Sequence, residues 1–249
     1  MRGDGSVAVV TGGTGWIGSA ISNALEDSGF RVFTVSRGKS QNFLQFGQQL
    51  TGDLSTQAGC DEVYSQILDR THCIDVLVNN SFSWPTKVHF LDQQWDDFKT
   101  TAENGLVSQL YFTKLIMKKM IDDTSGSIIN ICSMYGHSSP DLRIYEDSGM
   151  GNAVEYGAVK AAMLQSTRYL AGLGGPYGVR VNSISPGPIS RPESLDGKEW
   201  FKKNLENKTM LGRIGTPEDI QGAAVLLATE AGSYITGTDI RIDGGWTAW

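Results

Sequence analysis

The apolar positions fall into two alternating patterns. Val7-Ala8-Val9-Val10 is a continuous apolar run with β-branched residues, as expected of a strand covered on both faces. Ala20, Ile21, Ala24 and Leu25 then recur at helical spacing, and Gly29 ends that run. Arg31 to Val35 reads as a second strand and completes a strand–helix–strand unit. The alternation continues with Val63, Ile67 and Leu68 on a helix, Ile74 to Val78 in a strand, and Trp95 to about Met120 in helix of more than one piece. Ser127–Ile131 and Val179–Ile184 read as strands on either side of an alanine-rich helix from Tyr156 to about Leu173. Thr216-Pro217-Glu218-Asp219 opens another helix, with Thr as N-cap and Pro at the first position. Ile240-Arg241-Ile242 is a last strand.

This alternation predicts an α/β fold: a doubly wound parallel sheet with helices on both faces, in three layers. The 249 residues suit one domain, since single α/β domains of about 200–250 residues are common. No linker, repeat or low-complexity tract divides residues 1–249. Two stretches break the alternation, His137 to about Ala153 and Ser190 to about Met210, and connecting segments of this kind carry substrate contacts. Trp200 and Met210 in the second are candidates for closing over a substrate, with no spacing to favour either.

Composition narrows the function. Hydrophobic residues are 40% and charged residues 19%, which excludes disorder, collagen and coiled coil. The net charge of -6, without a basic stripe, argues against a nucleic-acid partner. No apolar run approaches the ~18–20 residues of a membrane span. Met1–Gly5 lacks a signal peptide's apolar core, so a cytoplasmic location is expected. Cys60, Cys73 and Cys132 read as buried, reduced thiols. With no CxxC or HExxH, no metal site is expected.

The candidate chemistry begins after the first strand. Gly12, Gly15 and Gly18, with Thr14, Trp16 and Ile17 between them, link that strand to a helix. Such a turn lets backbone approach a pyrophosphate, which the helix N-terminus then attracts. Ser36-Arg37 ends the second strand. A carboxylate there would bind the ribose hydroxyls of NAD, whereas a hydroxyl and a guanidinium suit a 2′-phosphate. NADP(H) is therefore the expected cofactor and NAD(H) the second choice. Asp53-Leu54 offers an acceptor for adenine or a plain turn residue. Asn79-Asn80 ends a strand, where side-chain amides can tie backbone to cofactor.

Tyr156 and Lys160 share one helix face, one turn apart. Phenol is a poor acid or base at pH 7, and a neighbouring ammonium favours the phenolate and lowers its pKa. The pair can then exchange a proton with an alcohol oxygen, to which Ser133 can hydrogen-bond.

Taken together, Thr11-Gly12 to Gly18, Asp53-Leu54, Asn79-Asn80, Ser133, Tyr156-x-x-x-Lys160, Pro186-Gly187-Pro188-Ile189, Ile235-Thr236-Gly237 and Asp243-Gly244-Gly245 resemble the short-chain dehydrogenase/reductase family over essentially the whole chain. The resemblance implies a Rossmann fold of about seven strands and a homotetramer or homodimer. It implies Tyr156 as general acid/base, Lys160 on the nicotinamide ribose and lowering the tyrosine pKa, and Ser133 orienting substrate. It adds Asn80, Ser81 and Ile131 to the cofactor set, with Pro186, Gly187 and Ile189 lining the nicotinamide.

Three departures from the family pattern stand out. Trp16 occupies a position where the family branch usually has glycine, and Gly15 gives a spacing similar to that of sugar-nucleotide epimerases. The family's mid-chain catalytic asparagine aligns with Gly105, and Asn104 is one residue early, a turn of about 100° on a helix. Asn104 is therefore a catalytic candidate against a solvated-asparagine alternative. Third, the interval from Ser133 to Tyr156 is longer than the family's usual one. The extra residues Pro140–Glu146 supply Arg143 and Tyr145, which with Tyr135 and Ser133 are expected to meet a polar, hydroxylated or anionic substrate.

The insert, Ser133-Met134-Tyr135-Gly136 and the tail Gly244–Trp249 are similar to oxidoreductases of bacterial surface-sugar pathways, including flagellin glycosylation and nonulosonic (legionaminic-type) acid synthesis. The expected function is NADP(H)-dependent interconversion of a secondary alcohol and a ketone on a small molecule: a sugar, sugar phosphate or CMP-activated sugar acid. An apolar or acyl ketone, a cofactor-retaining epimerase or dehydratase, and a non-catalytic NADP(H)-binding relative are the alternatives. Trp246 and Trp249 are expected at a subunit contact, near a neighbouring site, or on their own domain.

Overall fold

A computed structural model describes residues 5–38, 44, 47–84 and 89–249, so Met1–Asp4 of the N-terminus discussed above lie outside the described residues. Among these, β1 (Val7–Thr11), β2 (Arg31–Ser36), β3 (Gln48–Thr51), β4 (Val76–Asn79), β5 (Gly126–Ile131), β6 (Val179–Pro186) and β7 (Asp239–Ile242) form one parallel sheet. Its order is β3-β2-β1-β4-β5-β6-β7. The helices are α1 (Trp16–Asp27), α2 (Gln57–Leu68), α3 (Trp95–Ala102), α4 (Ser108–Asp122), α5 (Val154–Gly174), α6 (Pro192–Leu195), α7 (Glu199–Lys208) and α8 (Glu218–Ala228).

The apolar strands are continuous because alternate residues serve opposite faces. Val7 and Val9 pack with Val63, Ile67, Phe112 and Ile116 under α2 and α4. Ala8 and Val10 pack with Ile21, Leu25, Ile220 and Leu227 under α1 and α8. The strand order reverses between β1 and β4, and a cleft opens beyond the carboxyl ends of the strands at such a point. Ala8 pairs with Val76 and Val10 with Val78 there, and the Val7 amide donates to the Asp75 carboxylate at 2.7 Å.

β3 is the strand that the hydrophobic pattern does not announce. Gln48-Gln49-Leu50-Thr51 sits at a sheet edge and buries Leu50 alone. The polar stretch after Ser190 is not a loop but holds α6 and α7, whereas residues 137–153 contain only a short turn at Leu142–Tyr145. The two stretches pack on each other. Asn204 Nδ2 donates to the Ile144 carbonyl at 3.2 Å and to Glu146 Oε1 at 2.8 Å, and Lys208 Nζ to Asp141 Oδ2 at 3.0 Å.

Two smaller expectations shift. α8 begins one residue later than Pro217, although Pro217 already has helical dihedrals and the Asp219 carboxylate accepts from the Thr216 amide at 2.8 Å. Cys60 and Cys132 are buried but Cys73 is exposed; all three are free. Among the described residues no helix is long and apolar enough to cross a membrane. None of their His, Cys, Asp and Glu side chains cluster in threes to hold a metal ion.

Candidate active site

The turn from β1 to α1 is shaped by what its glycines exclude. Gly12 adopts φ +62°, a left-handed conformation suited to glycine. A Cβ on Gly18 would lie 2.1 Å from the Gly12 carbonyl oxygen, so the helix can start there only without a side chain. Asn80, just past β4, braces the turn: its Nδ2 donates to the carbonyls of Thr11 and Gly12, each at 3.1 Å. Thr11 Oγ1 accepts from the amides of Asn80 and Ser81 at 2.9 and 3.1 Å. Below it, Asn79 Nδ2 donates to Thr113 and Asn130 at 2.8 Å, and Asn130 to Thr167 at 2.9 Å. This buried ladder ties β4 and β5 to α4 and α5.

A cleft of about 1000 Å³ opens above this framework. Gly12, Thr14, Gly15, Trp16 and Ile17 form its floor, with Ser36, Arg37, Asp53 and Leu54 at one end. Asn80, Ser81, Ile131, Pro186, Gly187 and Ile189 line its middle. Ser133, Tyr156, Lys160 and Asn104 line it too, as do Tyr135 and Tyr145. Gly18 lies beneath the floor. A Cβ on Gly187 would come within 2.6 Å of Asp243 Cα, so the Asp243-Gly244-Gly245 tail closes directly behind the cleft wall. The floor is backbone with room for an anion at the start of α1, and this donor set fits a dinucleotide. Asp53 also acts as the turn residue of the alternative reading: it accepts from Ser55, which with Arg37 holds its carboxyl below the ordinary value.

Arg143 stands apart from the cleft. Its guanidinium forks onto Asp141, with Nε and Nη2 each at 2.8 Å, and of the four expected substrate contacts Ser133, Tyr135 and Tyr145 line the cleft while Arg143 does not. Trp200 and Met210 do not line the cleft either; Phe201 and Leu205 of α7 do. Phe201 stacks on Tyr145 with ring centroids 5.5 Å apart. Of the terminal tryptophans, Trp246 is buried on its own domain, edge-on to Tyr135 at 6.4 Å. Trp249 is exposed and donates from Nε1 to the Lys208 carbonyl at 2.9 Å.

At the inner wall, Ser133 caps the turn after β5, with its Oγ accepting from the Tyr135 amide at 3.1 Å. The lowering of the Tyr156 phenol expected from Lys160 is not what this geometry gives. Burial pushes the phenol up to about 12, while its hydrogen bond with Ser133 draws it down. Lys160 Nζ lies 5.9 Å from the Tyr156 ring centroid and donates instead to the Ile131 carbonyl at 2.8 Å. Burial lowers Lys160 and pushes Cys132 beside it up to about 12.

Asn104 and Gly105 fall in a π-helical turn, Glu103–Val107, between α3 and α4. The extra residue of that turn leaves Asn104 on the cleft wall and buries Gly105 against Phe82 and Val159. Sequence reasoning missed Phe82, Trp84 and Arg191. Trp84 stacks on Tyr156, centroids 4.6 Å apart, and Phe82 meets Tyr156 edge-on at 5.2 Å. The Arg191 guanidinium lies 5.7 Å from the Trp16 ring centroid, across the cleft floor. Two aromatics at alternate positions after Asn79-Asn80 were the available signal for the first pair.

The family model described as enoyl-(acyl carrier protein) reductase matches residues 14–247. The 3-oxoacyl-[acyl-carrier-protein] reductase FabG of Aquifex aeolicus is 29% identical over 97% of each chain. The 2-dehydro-3-deoxy-D-gluconate 5-dehydrogenase of Formosa agariphila is 28% identical over 97% of this chain and 92% of its own. Among solved structures, a short-chain dehydrogenase from Leptospira borgpetersenii with bound NAD+ superposes with a TM-score of 0.89, at 27% identity, over 98% of this chain and 93% of its own. The RhlG/NADP active-site complex of Pseudomonas aeruginosa gives 0.88 at 26% identity, over 98% and 97%.

Proposed function

The chain belongs to the short-chain dehydrogenase/reductase family of oxidoreductases, and on that premise we propose that it interconverts a secondary alcohol and a ketone on a sugar-derived substrate with NADP(H). The observation that carries the reading is the convergence of Ser133, Tyr156 and Lys160 on the inner wall of the cleft whose floor is the glycine turn. A bound nicotinamide supplies or accepts the hydride. The start of α1 holds the pyrophosphate, and Ser36 and Arg37 the adenosine ribose. In reduction the Tyr156 hydroxyl protonates the substrate oxygen; in oxidation the phenolate takes the hydroxyl proton. Ser133 hydrogen-bonds the same oxygen, and Lys160 holds positive charge beside the phenol. At neutral pH the buried Tyr156 phenol carries its proton, the form that reduction consumes.

NADP(H) is favoured because β2 ends in Ser36-Arg37, with no carboxylate. Arg37 is exposed on the cleft, where it also acts electrostatically on Asp53. The sugar-derived substrate is supported by the other end of the cleft. Trp84, Tyr135, Tyr145, Asn152 and Phe201 line it, offering flat aromatic walls and neutral hydrogen-bonding groups, and the Asn152 Oδ1 is buried with no partner. Those walls suit the ring faces and hydroxyls of a sugar-derived substrate, and Arg191 on the same lining leaves room for an acid group. Similarity to a 2-dehydro-3-deoxy-D-gluconate 5-dehydrogenase points the same way. The surface-sugar reading, with a CMP-activated nonulosonic acid as substrate, rests on the insert and tail alone. An acyl ketone is the second reading, favoured by Leu205 beside Phe201 and by similarity to the Aquifex enzyme.

Thermal-shift titration with NADPH and NADH, followed by turnover on ketogluconates, CMP-sugars and acetoacetyl thioesters, separates these readings. A larger shift with NADPH and turnover of a keto-sugar acid or keto-sugar are expected. Stabilisation by NADH alone would overturn the cofactor preference, and turnover of thioesters alone would overturn the substrate class.

A further inference from the structure

Lys160 is an ammonium only 5% exposed, and among the described residues no carboxylate pairs with it. A buried charge needs compensation. The Ile131 carbonyl supplies one contact at 2.8 Å. The other is aromatic: Nζ stands 4.9 Å from the Phe82 ring centroid, closer than to the Tyr156 ring at 5.9 Å. Phe82 reaches that place because the π-helical turn presents Gly105. A Cβ there would lie 2.8 Å from Phe82 Cε2 and 2.8 Å from Val159 Cγ1. The same ring meets Tyr156 edge-on at 5.2 Å, so one side chain touches both members of the pair.

We propose that Phe82 is a positioning residue for Lys160: seated in the notch that Gly105 leaves, its ring face holds the ammonium charged beside the Tyr156 phenol. A cation over an aromatic face is attracted by the ring quadrupole, most strongly when both are desolvated. The other titratable groups facing the pair are Cys132 just after β5 and Tyr135 in the turn that follows. Asp239 of β7 bears on Cys132. The inference rests on the reading that Tyr156 and Lys160 carry the proton.

The test is the titration of Lys160 itself, followed by NMR of protein labelled with 13C at lysine Cε. The Lys160 signal is identified by its loss in Lys160→Arg. Phe82 is replaced by phenylalanines of increasing fluorine content, which weaken the ring face at nearly constant size. The Lys160 midpoint is expected to fall stepwise, by about one pH unit across the series, with the melting temperature unchanged. A midpoint that stays fixed or rises would overturn the proposal while leaving the role of Tyr156 standing. Normal turnover by Tyr156→Phe would instead end the underlying reading and leave the Lys160 titration interpretable.

Discussion

The two ends of the cleft are held by different means. The glycine-turn end is backbone: a left-handed Gly12, a Gly18 that excludes any side chain, and carbonyls gripped by Asn80. The aromatic end is side chain: Tyr145 stacked on Phe201, Tyr135 edge-on to Trp246, and Asn204 hooked onto the insert. Backbone architecture tolerates no change of residue at a few positions and is indifferent elsewhere. Side-chain architecture can be altered piecemeal, and each alteration moves a wall. Under the proposed function, recognition of the cofactor falls where variation is costly, and recognition of the substrate where it is not.

Tyr156 stands where the two ends meet, and its loss should be the largest effect. Tyr156→Phe should lower kcat by ~10²–10⁴ with cofactor affinity kept, as read by steady-state rates beside a fluorescence titration of NADPH. Gly18→Ala comes next. Overpacking of this kind costs roughly 1–3 kcal/mol of stability and displaces the Gly12 carbonyl, so the melting temperature should fall and NADPH should bind more weakly; an unchanged dissociation constant would mean that the turn is not the pyrophosphate site. Phe201→Ala acts at the other end. Loss of an aromatic pair is worth about 0.5–1.5 kcal/mol, so KM for substrate should rise about two- to tenfold while NADPH titrates as before. Equal losses in both constants would erase the distinction between the ends.

The pH profile sharpens the same point. With the phenol pushed up to about 12, the acid form persists through neutral pH. Reduction should be flat from pH 7 to 9, and oxidation should rise with pH as phenolate accumulates. An oxidation rate already level at pH 7 would show that the bound site lowers the phenol far more than Ser133 does here. Arg143→Ala should do least. An exposed pair with Asp141 is worth about 0–1 kcal/mol, and Lys208 still holds Asp141, so turnover within about twofold of the parent is expected.

Much of this arrangement is legible in the chain, for physical reasons that also explain what is not. Strands buried on both faces announce themselves as apolar runs, as Val7–Val10 does. β3 is silent because an edge strand needs to bury only Leu50. α7 is nearly silent because a surface helix with Leu205 as its buried residue carries a single apolar pair, Phe201 and Leu205. Glycines and the Tyr156–Lys160 spacing identify the chemistry because backbone approach and helix pitch are local. Phe82 opposite Gly105 is a tertiary complement, visible only when two segments meet. Arg143 looks like a free cation in the sequence, and only the structure shows its Nε and Nη2 forked onto its neighbour Asp141.

The pairing of β1 with β4 carries a consequence for biogenesis. β2 follows β1 after one helix, but the strand on its other side, Val76–Asn79, is made much later in the chain. If β1 and β2 pair before β4 exists, the Val7–Thr11 edge stays unpaired for that interval, an apolar template for unwanted strand addition. Slow decoding between residues 51 and 76 would lengthen that exposure, and a chaperone that shields strand edges would act most usefully there.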